Sequence, residues 1–224
     1  MSLLTDDETA RLHELFERDL TGDVTLVHFT RHAGRLVVPG ETPCPSCADT
    51  VAVLGELAAA SEHLSLEVHE IEAEPDLARE HGIDKVPATE IVGAGARGAV
   101  RLFGLPGGYE FATLIEDVID VGAARDDLSD DAHATLDALT RDVHLQVFVT
   151  PTCPHCPAAA RTAHQLAMAS PRVTADVIVV TDFPQLAERY EVLAVPKVVI
   201  DDTVSFEGAR PEGEFLEFLE QATG

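Results

Sequence analysis

Hydrophobic positions recur along this 224-residue chain in two rounds, each alternating helical and strand-like spacing. The first round opens with apolar residues at helical spacing from Leu4 to Leu20, where Thr5 and Glu8 match a capping box. A buried-strand pattern follows over Asp23–Thr30. The pattern then predicts a helix from Cys44 to about Ala60, a strand over 64–71, a helix over 76–81, two strands separated by a glycine-rich turn, and a helix over 109–120.

The second round repeats this order after a small, polar and charged segment at 122–131. It predicts a helix over 128–141, a strand over 143–150, a helix over 154–168, a strand over 173–180, a helix over 184–190, strands over 196–200 and 203–206, and a last helix over 211–221. About 110 residues per round is enough for each to bury its own core. We therefore predict an α/β protein of two related domains, 1–122 and 123–224.

The same cysteine motif occurs once in each round. CPSC runs from Cys44 to Cys47 and is followed by the Val-Pro step Val86-Pro87. CPHC runs from Cys153 to Cys156 and is followed by Val195-Pro196. In both rounds the proline comes 43 positions after the first cysteine. Because composition alone does not produce a shared long-range spacing, the repeat indicates that one folding unit was duplicated.

Charge and hydropathy narrow the range of partners. The chain has 40 acidic and 15 basic residues and a formal net charge of −25, which repels nucleic acid and anionic membranes. No apolar run approaches the roughly 20 residues that span a bilayer, and the first residues do not resemble an export signal. We expect a cytoplasmic protein in a salt-rich cytosol, where self-repulsion is screened. An ordinary acidic protein at low salt is the alternative.

In a reducing compartment, paired cysteines are redox-active or metal-binding rather than structural. A cysteine at a helix N-terminus faces unpaired N–H groups and the positive end of the helix dipole, which favour the thiolate. We therefore predict Cys44 and Cys153 as nucleophiles. Cys47 and Cys156 would then attack the mixed disulfide that each nucleophile forms. The two intramolecular disulfides are the expected redox groups, with no metal and no bound cofactor.

The two motifs differ in their surroundings. His155, when protonated, would favour the Cys153 thiolate, whereas Ser46 adds no charge. An insertion of 11 residues, Arg31–Glu41, separates the first strand from CPSC, whereas the second strand continues directly into CPHC. We expect Cys153 and Cys156 to form the main site.

The recurring Val-Pro steps indicate a substrate-binding backbone segment beside each disulfide. An X-Pro bond adopts the cis form at low cost, and a cis proline that opens a strand can hold the preceding backbone beside the disulfide. Val86, Pro87, Val195 and Pro196 are therefore the predicted substrate-binding positions. The alternative is that both prolines simply begin strands.

A strand, a CxxC motif on a helix and a later Val-Pro step together resemble the thioredoxin fold. The tandem arrangement resembles the glutaredoxin-like protein disulfide oxidoreductases of archaea and thermophilic bacteria, above all in FGLPGGYEF (103–111), VHLQVFVTPTCPHCP (143–157) and VPKVVI (195–200). The resemblance covers about residues 8–220. It implies two tandem thioredoxin-like domains, each a central mixed β-sheet flanked by helices. It also implies reduction, oxidation or isomerisation of protein disulfides, with a pyridine-nucleotide thioredoxin reductase as an electron donor.

One residue departs from that family pattern. Thioredoxins keep a buried acid on the strand beneath the motif, six residues before the first cysteine, but here Val147 occupies that position. The group that accepts the proton of Cys156 is therefore unassigned.

Two alternatives to this general oxidoreductase remain open. One is a dedicated electron carrier between a thioredoxin reductase and a peroxiredoxin-type partner. The other is a zinc protein with four thiolate ligands. Cys47 and Cys153 are 106 positions apart in sequence, which disfavours this alternative because zinc ribbons bring their cysteine pairs together over short loops.

Overall fold

The computed structural model describes residues 5–31 and 44–224, which form two similar α/β halves. The first half contains α1 (Asp6–Asp19), β1 (Val24–Thr30), α2 (Cys47–Ala58), β2 (Leu64–Glu70), α3 (Pro75–Glu80), β3 (Ala88–Gly93), β4 (Ala99–Phe103) and α4 (Tyr109–Ala123). The second half contains α5 (Asp130–Asp137), β5 (Val143–Val149), α6 (Cys156–Ala169), β6 (Val173–Val179), α7 (Pro184–Arg189), β7 (Lys197–Ile200), β8 (Val204–Glu207) and α8 (Glu212–Thr223).

The strands of both halves form one mixed sheet in the order β2-β1-β3-β4-β6-β5-β7-β8. In each half the central strand, β1 or β5, pairs in parallel with β2 or β6 and antiparallel with β3 or β7. The prediction of two tandem thioredoxin-like units is confirmed, and the two sheets are continuous because β4 pairs in parallel with β6. This pairing covers two strand edges that would otherwise be open. The division of the chain at residue 122 stays a prediction.

The first helix begins at the capping box that the sequence predicted. The Thr5 hydroxyl accepts a hydrogen bond from the Glu8 N–H at 3.3 Å, and the Glu8 carboxylate accepts one from the Thr5 N–H at 2.8 Å. Leu12 and Phe16, one turn apart, are buried in the core. The polar cap and the apolar stripe together explain why α1 forms at this point.

The helices cover the two faces of the sheet unequally. One face packs against α2, α4, α6 and α8 around side chains such as Leu26, Leu54 and Val147, and we call it the CxxC-helix face. The opposite face carries the short helices α3 and α7 and a core that includes Phe29 and Phe148. Because side chains alternate along a strand, the even positions of β1 and the odd positions of β5 lie on the CxxC-helix face.

A row of polar side chains crosses the opposite face where the halves join. Glu90, Arg101, Asp176 and Gln146 lie in register on β3, β4, β6 and β5. Arg101 Nε donates a hydrogen bond to Asp176 Oδ1 at 2.7 Å, and His144 Nε2 lies 2.7 Å from Asp176 Oδ2. Burial by itself raises the pKa of Asp176, but the hydrogen bond from His144 and the charge of Arg101 outweigh burial and hold it below its usual range. This buried charge pair ties β4 to β6.

Most predicted bounds differ from the structure by one to three residues, and the largest difference is at α5. The pattern predicted a helix over 128–141, whereas α5 spans Asp130–Asp137. The Ser129 hydroxyl accepts a hydrogen bond from the Ala132 N–H and caps the helix there. None of the helices in residues 5–31 and 44–224 has both the length and the apolar composition that crossing a membrane takes. Apart from Arg31, the predicted insertion lies outside the described residues.

Candidate active site

Both cysteine pairs lie at the same edge of the sheet. Strands β1 and β5 both run toward this edge, since the two halves join through parallel strands and share one topology. Each pair forms a disulfide, Cys44–Cys47 and Cys153–Cys156, with Cα–Cα distances of 5.4 and 5.5 Å. The sheet therefore presents two dithiol sites side by side.

The helix that follows each motif begins later than the sequence predicted. The first helical residues are Cys47 and Cys156, so Cys44 and Cys153 lie in the turn before the helix. The residue before a proline disfavours helical backbone angles, and a proline follows both Cys44 and Cys153. The prediction that the first helix begins at Cys44 was wrong, and the second helix begins at Cys156 rather than at Pro154. Each first cysteine lies directly in front of a helix N-terminus.

The geometry distinguishes the two cysteines of the second pair. Cys153 is 9% exposed, whereas Cys156 is fully buried. The Cys156 backbone N–H donates a hydrogen bond to Cys153 Sγ at 3.1 Å. A donor at a helix start stabilises negative charge on that sulfur. In the first pair Cys44 is half-buried and Cys47 is 2% exposed, so the first cysteine is again the more accessible one.

Each Val-Pro step lies beside its own cysteine pair, and both Val-Pro peptide bonds are cis. Cys153 Sγ lies 3.7 Å from the Val195 carbonyl oxygen. Val86 is buried in the same hydrophobic cluster as Cys47. The structure thus brings these predicted positions to the disulfides, while substrate binding by Val86, Pro87, Val195 and Pro196 stays a prediction.

His155 stands at the N-cap of α6 and is exposed to solvent. Its side chain makes no capping hydrogen bond. A charge at this position would be screened by water and salt, and its tuning of the Cys153 thiolate stays a prediction.

A buried carboxyl group that sequence reasoning missed lies on α4. Glu110 is 2% exposed, and its two carboxyl oxygens have no hydrogen-bond partner elsewhere in the described residues. Burial raises the pKa of Glu110 from an ordinary 4.5 to about 7, although a hydrogen bond from its own backbone acts the other way. The side chain lines a small cavity between α4, α6 and the sheet. A buried acid with a pKa near neutrality can exchange protons at physiological pH.

The start of α4 is held against the second cysteine motif. The Tyr109 N–H donates a hydrogen bond to the Pro151 carbonyl oxygen at 3.2 Å, two residues before Cys153. A Cβ at Gly108, where φ is +58°, would lie 2.2 Å from that same oxygen. Only glycine therefore permits this close approach, which places Glu110 near the N-terminal end of α6.

Ion pairs hold the rest of α4 parallel to α6. His164 Nδ1 lies 2.6 Å from Asp117 Oδ2, and His164 Nε2 lies 3.1 Å from the Arg101 carbonyl oxygen. The His164 side chain on α6 therefore bridges Asp117 of α4 and the backbone of β4. Arg161 on α6 also donates to Asp120 on α4 at 2.5 Å. These buried contacts fix the helix that carries Glu110 relative to the helix that begins at Cys156.

Comparison with known proteins now decides the family. Residues 143–221 match the thioredoxin domain family. A thioredoxin from Methanocaldococcus jannaschii is 38% identical over 80 residues, which are 35% of this chain and 94% of that protein. The chain belongs to the thioredoxin family. With a disulfide at each CxxC motif, this thioredoxin-like protein is a thiol-disulfide oxidoreductase.

Solved structures extend the likeness of this thioredoxin-family protein to the whole chain. A protein disulfide oxidoreductase from Aeropyrum pernix is 25% identical, with a TM-score of 0.86 over 98% of this chain and 93% of that one. The resemblance predicted from the sequence is confirmed. An alkylhydroperoxide reductase (AhpF) structure from Enterococcus faecalis shares the fold, with 24% identity and a TM-score of 0.82 over 96% of this chain and 98% of that one. The AhpF protein of Pseudomonas putida is 23% identical over 138 residues, and this chain spans 26% of its length.

Proposed function

We propose that this thioredoxin-family protein exchanges disulfides with protein substrates and that Cys153 is its main nucleophile. The observation that carries the proposal is the N–H···S hydrogen bond from the first residue of α6 to Cys153 Sγ. That bond favours the thiolate on the more accessible sulfur of the pair. The fully buried Cys156 is suited to resolve a mixed disulfide rather than to attack an external one.

The reductive direction proceeds in two exchange steps. The Cys153 thiolate attacks a substrate disulfide, which forms a Cys153–substrate bond and releases the first substrate thiolate. Cys156 then loses its proton to the Glu110 carboxylate and attacks Cys153 Sγ. The second substrate thiolate leaves, and the Cys153–Cys156 disulfide closes. Val147 has no group that could accept this proton, whereas Glu110 has a carboxylate. Because the pKa of Glu110 is about 7, a large fraction of this carboxyl group is ionised at neutral pH.

An apolar residue beside the second site supports the choice of an extended polypeptide as substrate. Leu193, two residues before Val195, is 91% exposed. The corresponding residue before Val86 is Asp84, whose carboxylate forms an ion pair with Lys85 at 2.7 Å. An exposed leucine at the rim of an exchange site offers an apolar contact to a partly unfolded substrate, whereas the first site offers charges.

A second candidate function is an electron carrier between a reductase and a peroxidase. The likeness to the AhpF alkylhydroperoxide reductases favours it, since the chain aligns with part of that longer protein. A carrier would transfer electrons from a thioredoxin reductase to one peroxiredoxin-type partner faster than it reduces other proteins. Side-by-side rates with insulin and with a peroxiredoxin distinguish the two functions.

The proposed setting is a reducing, salt-rich cytoplasm. The net charge of −25 supports it, because self-repulsion at this density decreases as the screening length falls to about 3 Å near 1 M salt. Unfolding measured from low to molar salt is expected to show rising stability. The zinc alternative stays open and is tested by metal analysis of the reduced protein.

The main test is insulin reduction and refolding of a scrambled disulfide protein at high salt. Cys153→Ser is expected to remove most of the turnover, Cys44→Ser a smaller part, and the double variant nearly all of it. If all three variants keep wild-type turnover, the catalytic assignment is wrong. If Cys44→Ser loses more than Cys153→Ser, the order of the two sites is reversed.

A further inference from the structure

The strand register identifies the residue that lies beneath the first cysteine motif. Phe29 on β1 pairs with Ala88, the residue after the cis proline Pro87. Phe148 on β5 pairs with Lys197, the residue after the cis proline Pro196. Phe29 and Phe148 are therefore equivalent, and the residue before each is equivalent too. His28 on β1 is the counterpart of Val147 on β5. This register also makes the extra segment before CPSC ten residues long rather than the 11 predicted.

His28 lies on the side of β1 that faces α2. It shares the CxxC-helix face with Leu26, which packs in the same core as Leu54 of α2. Strand β1 runs toward the cysteine edge, so His28 lies one layer nearer that edge than Leu26. Cys47 is the first residue of α2 and is 2% exposed. The imidazole therefore lies one layer beyond the leucine core, toward the sheet edge where Cys47 packs with Phe29 and Val86.

The layer beneath the first motif is polar, whereas the layer beneath the second is apolar. Three fully buried polar side chains of the first half occupy positions that are equivalent to those of three buried apolar side chains in the second half. The pairs are His28 and Val147, Thr89 and Val198, and Thr50 and Ala159. Buried polar groups cost free energy unless they are satisfied. The Thr50 hydroxyl donates to the Ser46 carbonyl oxygen at 2.7 Å and Thr89 pairs with His28, so His28 Nε2 is the atom of these three side chains that lacks a partner in the described residues. The difference indicates a chemical role at the first site.

The His28 imidazole is neutral, and its Nε2 atom can accept a proton. His28 Nδ1 lies 2.9 Å from the Thr89 hydroxyl, and His28 Nε2 is buried without a well-formed hydrogen bond among the described residues. Burial lowers the pKa of His28 to about 4, although a hydrogen bond to the Ala88 carbonyl acts the other way. When Nδ1–H donates to Thr89, the lone pair of Nε2 is left free to accept a proton.

We propose that His28 is the proton acceptor for Cys47 when the first site resolves a mixed disulfide. The inference rests on the proposed function, because it requires Cys44 to attack disulfides as Cys153 does. Cys47 Sγ–H gives its proton to His28 Nε2, and the Cys47 thiolate attacks Cys44 Sγ. The Cys44–Cys47 bond forms, and the Cys44–substrate bond breaks. The electron pair leaves on the substrate sulfur, which takes up the proton that His28 returns.

Two carboxyl groups lie on the same face of the neighbouring elements and are the competing acceptors. Glu70 is the last residue of β2 and pairs with Thr30. Glu110 lies in the first turn of α4 and lines a cavity together with Leu102, the cross-strand partner of Thr89. The test therefore includes Glu70→Gln and Glu110→Gln. Thr25→Val is the matched control, because it replaces a polar side chain by valine on the same strand but on the opposite face.

The experiment isolates the first site by changing Cys153 and Cys156 to serine in the full chain. The reduced protein is mixed with excess dithiobis(nitrobenzoic acid), and the coloured thiolate is followed by stopped flow. The first release reports attack by Cys44, and the second reports resolution by Cys47. His28→Val is expected to leave the first release unchanged and to slow the second about 100-fold near neutral pH. Thr25→Val is expected to keep both rates.

The pH dependence separates a proton acceptor from a structural residue. With His28 the second release is expected to change little between about pH 6 and 8. In His28→Val it is expected to rise roughly tenfold per pH unit, as for a thiol that ionises unaided. His28→Asp, which restores a titratable group, is expected to recover most of the rate. Circular dichroism and the unfolding midpoint establish that each variant is folded.

Several outcomes would overturn the inference. An unchanged second release in His28→Val rejects it, as does an equal loss of both releases in a folded variant. A slow second release in Glu70→Gln or Glu110→Gln together with a normal one in His28→Val assigns the proton to another group. Absence of the first release in the starting protein rejects disulfide attack by Cys44 itself. In that case the failure lies in the proposed function of the first site.

Discussion

Replacement of Glu110 by glutamine is expected to stabilise the protein and slow its main site at the same time. Glutamine keeps the size of the side chain but removes its ionisation. Burial raises the pKa of Glu110 from 4.5 to about 7. A difference of that size corresponds to about 3 kcal/mol between the protonated and ionised forms. The carboxyl group is 2% exposed, so little of this cost is screened by solvent.

The sign of the effect follows from proton linkage. Below pH 4.5 the carboxyl is protonated in both the folded and the unfolded chain, so burial adds little cost. As the pH rises to about 7 the unfolded chain ionises first, and the folded protein loses about 3 kcal/mol of stability relative to low pH. Glu110→Gln is therefore expected to match wild type near pH 4 and to exceed its free energy of unfolding by about 3 kcal/mol at pH 8.

Denaturant unfolding at several pH values measures this difference. Glu14→Gln is the control, because Glu14 is exposed on α1 and its replacement is expected to leave the pH profile unchanged. The companion assay follows the second thiolate release at Cys153 and Cys156, which Glu110→Gln is expected to slow about 100-fold near neutral pH. A constant difference in stability between pH 4 and 8, or an unchanged release, would refute the reasoning.

Further predictions concern two contacts between the halves, the Arg101–Asp176 ion pair and the approach of Gly108 to Pro151. Asp176→Asn leaves the buried Arg101 charge without its partner and is expected to cost about 3–5 kcal/mol in denaturant unfolding at neutral pH. Ionised Asp176 stabilises the protein above the pKa of 3.8 that this carboxyl has in the unfolded chain. This stabilisation is lost as the pH falls through the lower pKa of the folded state, and Asp176→Asn is expected not to show that loss. Gly108→Ala places a Cβ against the Pro151 carbonyl at positive φ and is expected to cost more than about 1 kcal/mol, whereas Gly107→Ala, with open space around it, should be near neutral in the same unfolding assay.

The duplicated fold was predictable because local signals and the repeat agree. Strand and helix periodicity, the Thr5–Glu8 capping box and the equal cysteine-to-proline spacing all survive in the structure. The continuous sheet was not predictable, since pairing of β4 with β6 depends on two edges that are far apart in sequence. The charge pair between Arg101 and Asp176 that supports this pairing has no local signature.

The two proposed proton acceptors were missed for separate reasons. Glu110 belongs to the first half but lies near the second site, so no spacing within one repeat points to it. It lies at the start of the helix predicted over 109–120, and the sequence pattern gave it no role beyond membership of that helix. His28 was hidden by the insertion, because the residue six positions before Cys44 is Val38 rather than a residue of β1. A rule based on spacing from the cysteine fails where extra residues separate the strand from the motif.

Trapping of the mixed disulfide tests the central claim most directly. Cys156→Ser removes the resolving thiol, so a substrate disulfide attacked by Cys153 should remain bound. Peptide mapping of the adduct by mass spectrometry, in a chain that also carries Cys44→Ser and Cys47→Ser, is expected to find one substrate thiol on Cys153. No adduct on Cys153, in a folded protein exposed to a disulfide substrate at high salt, would contradict the account.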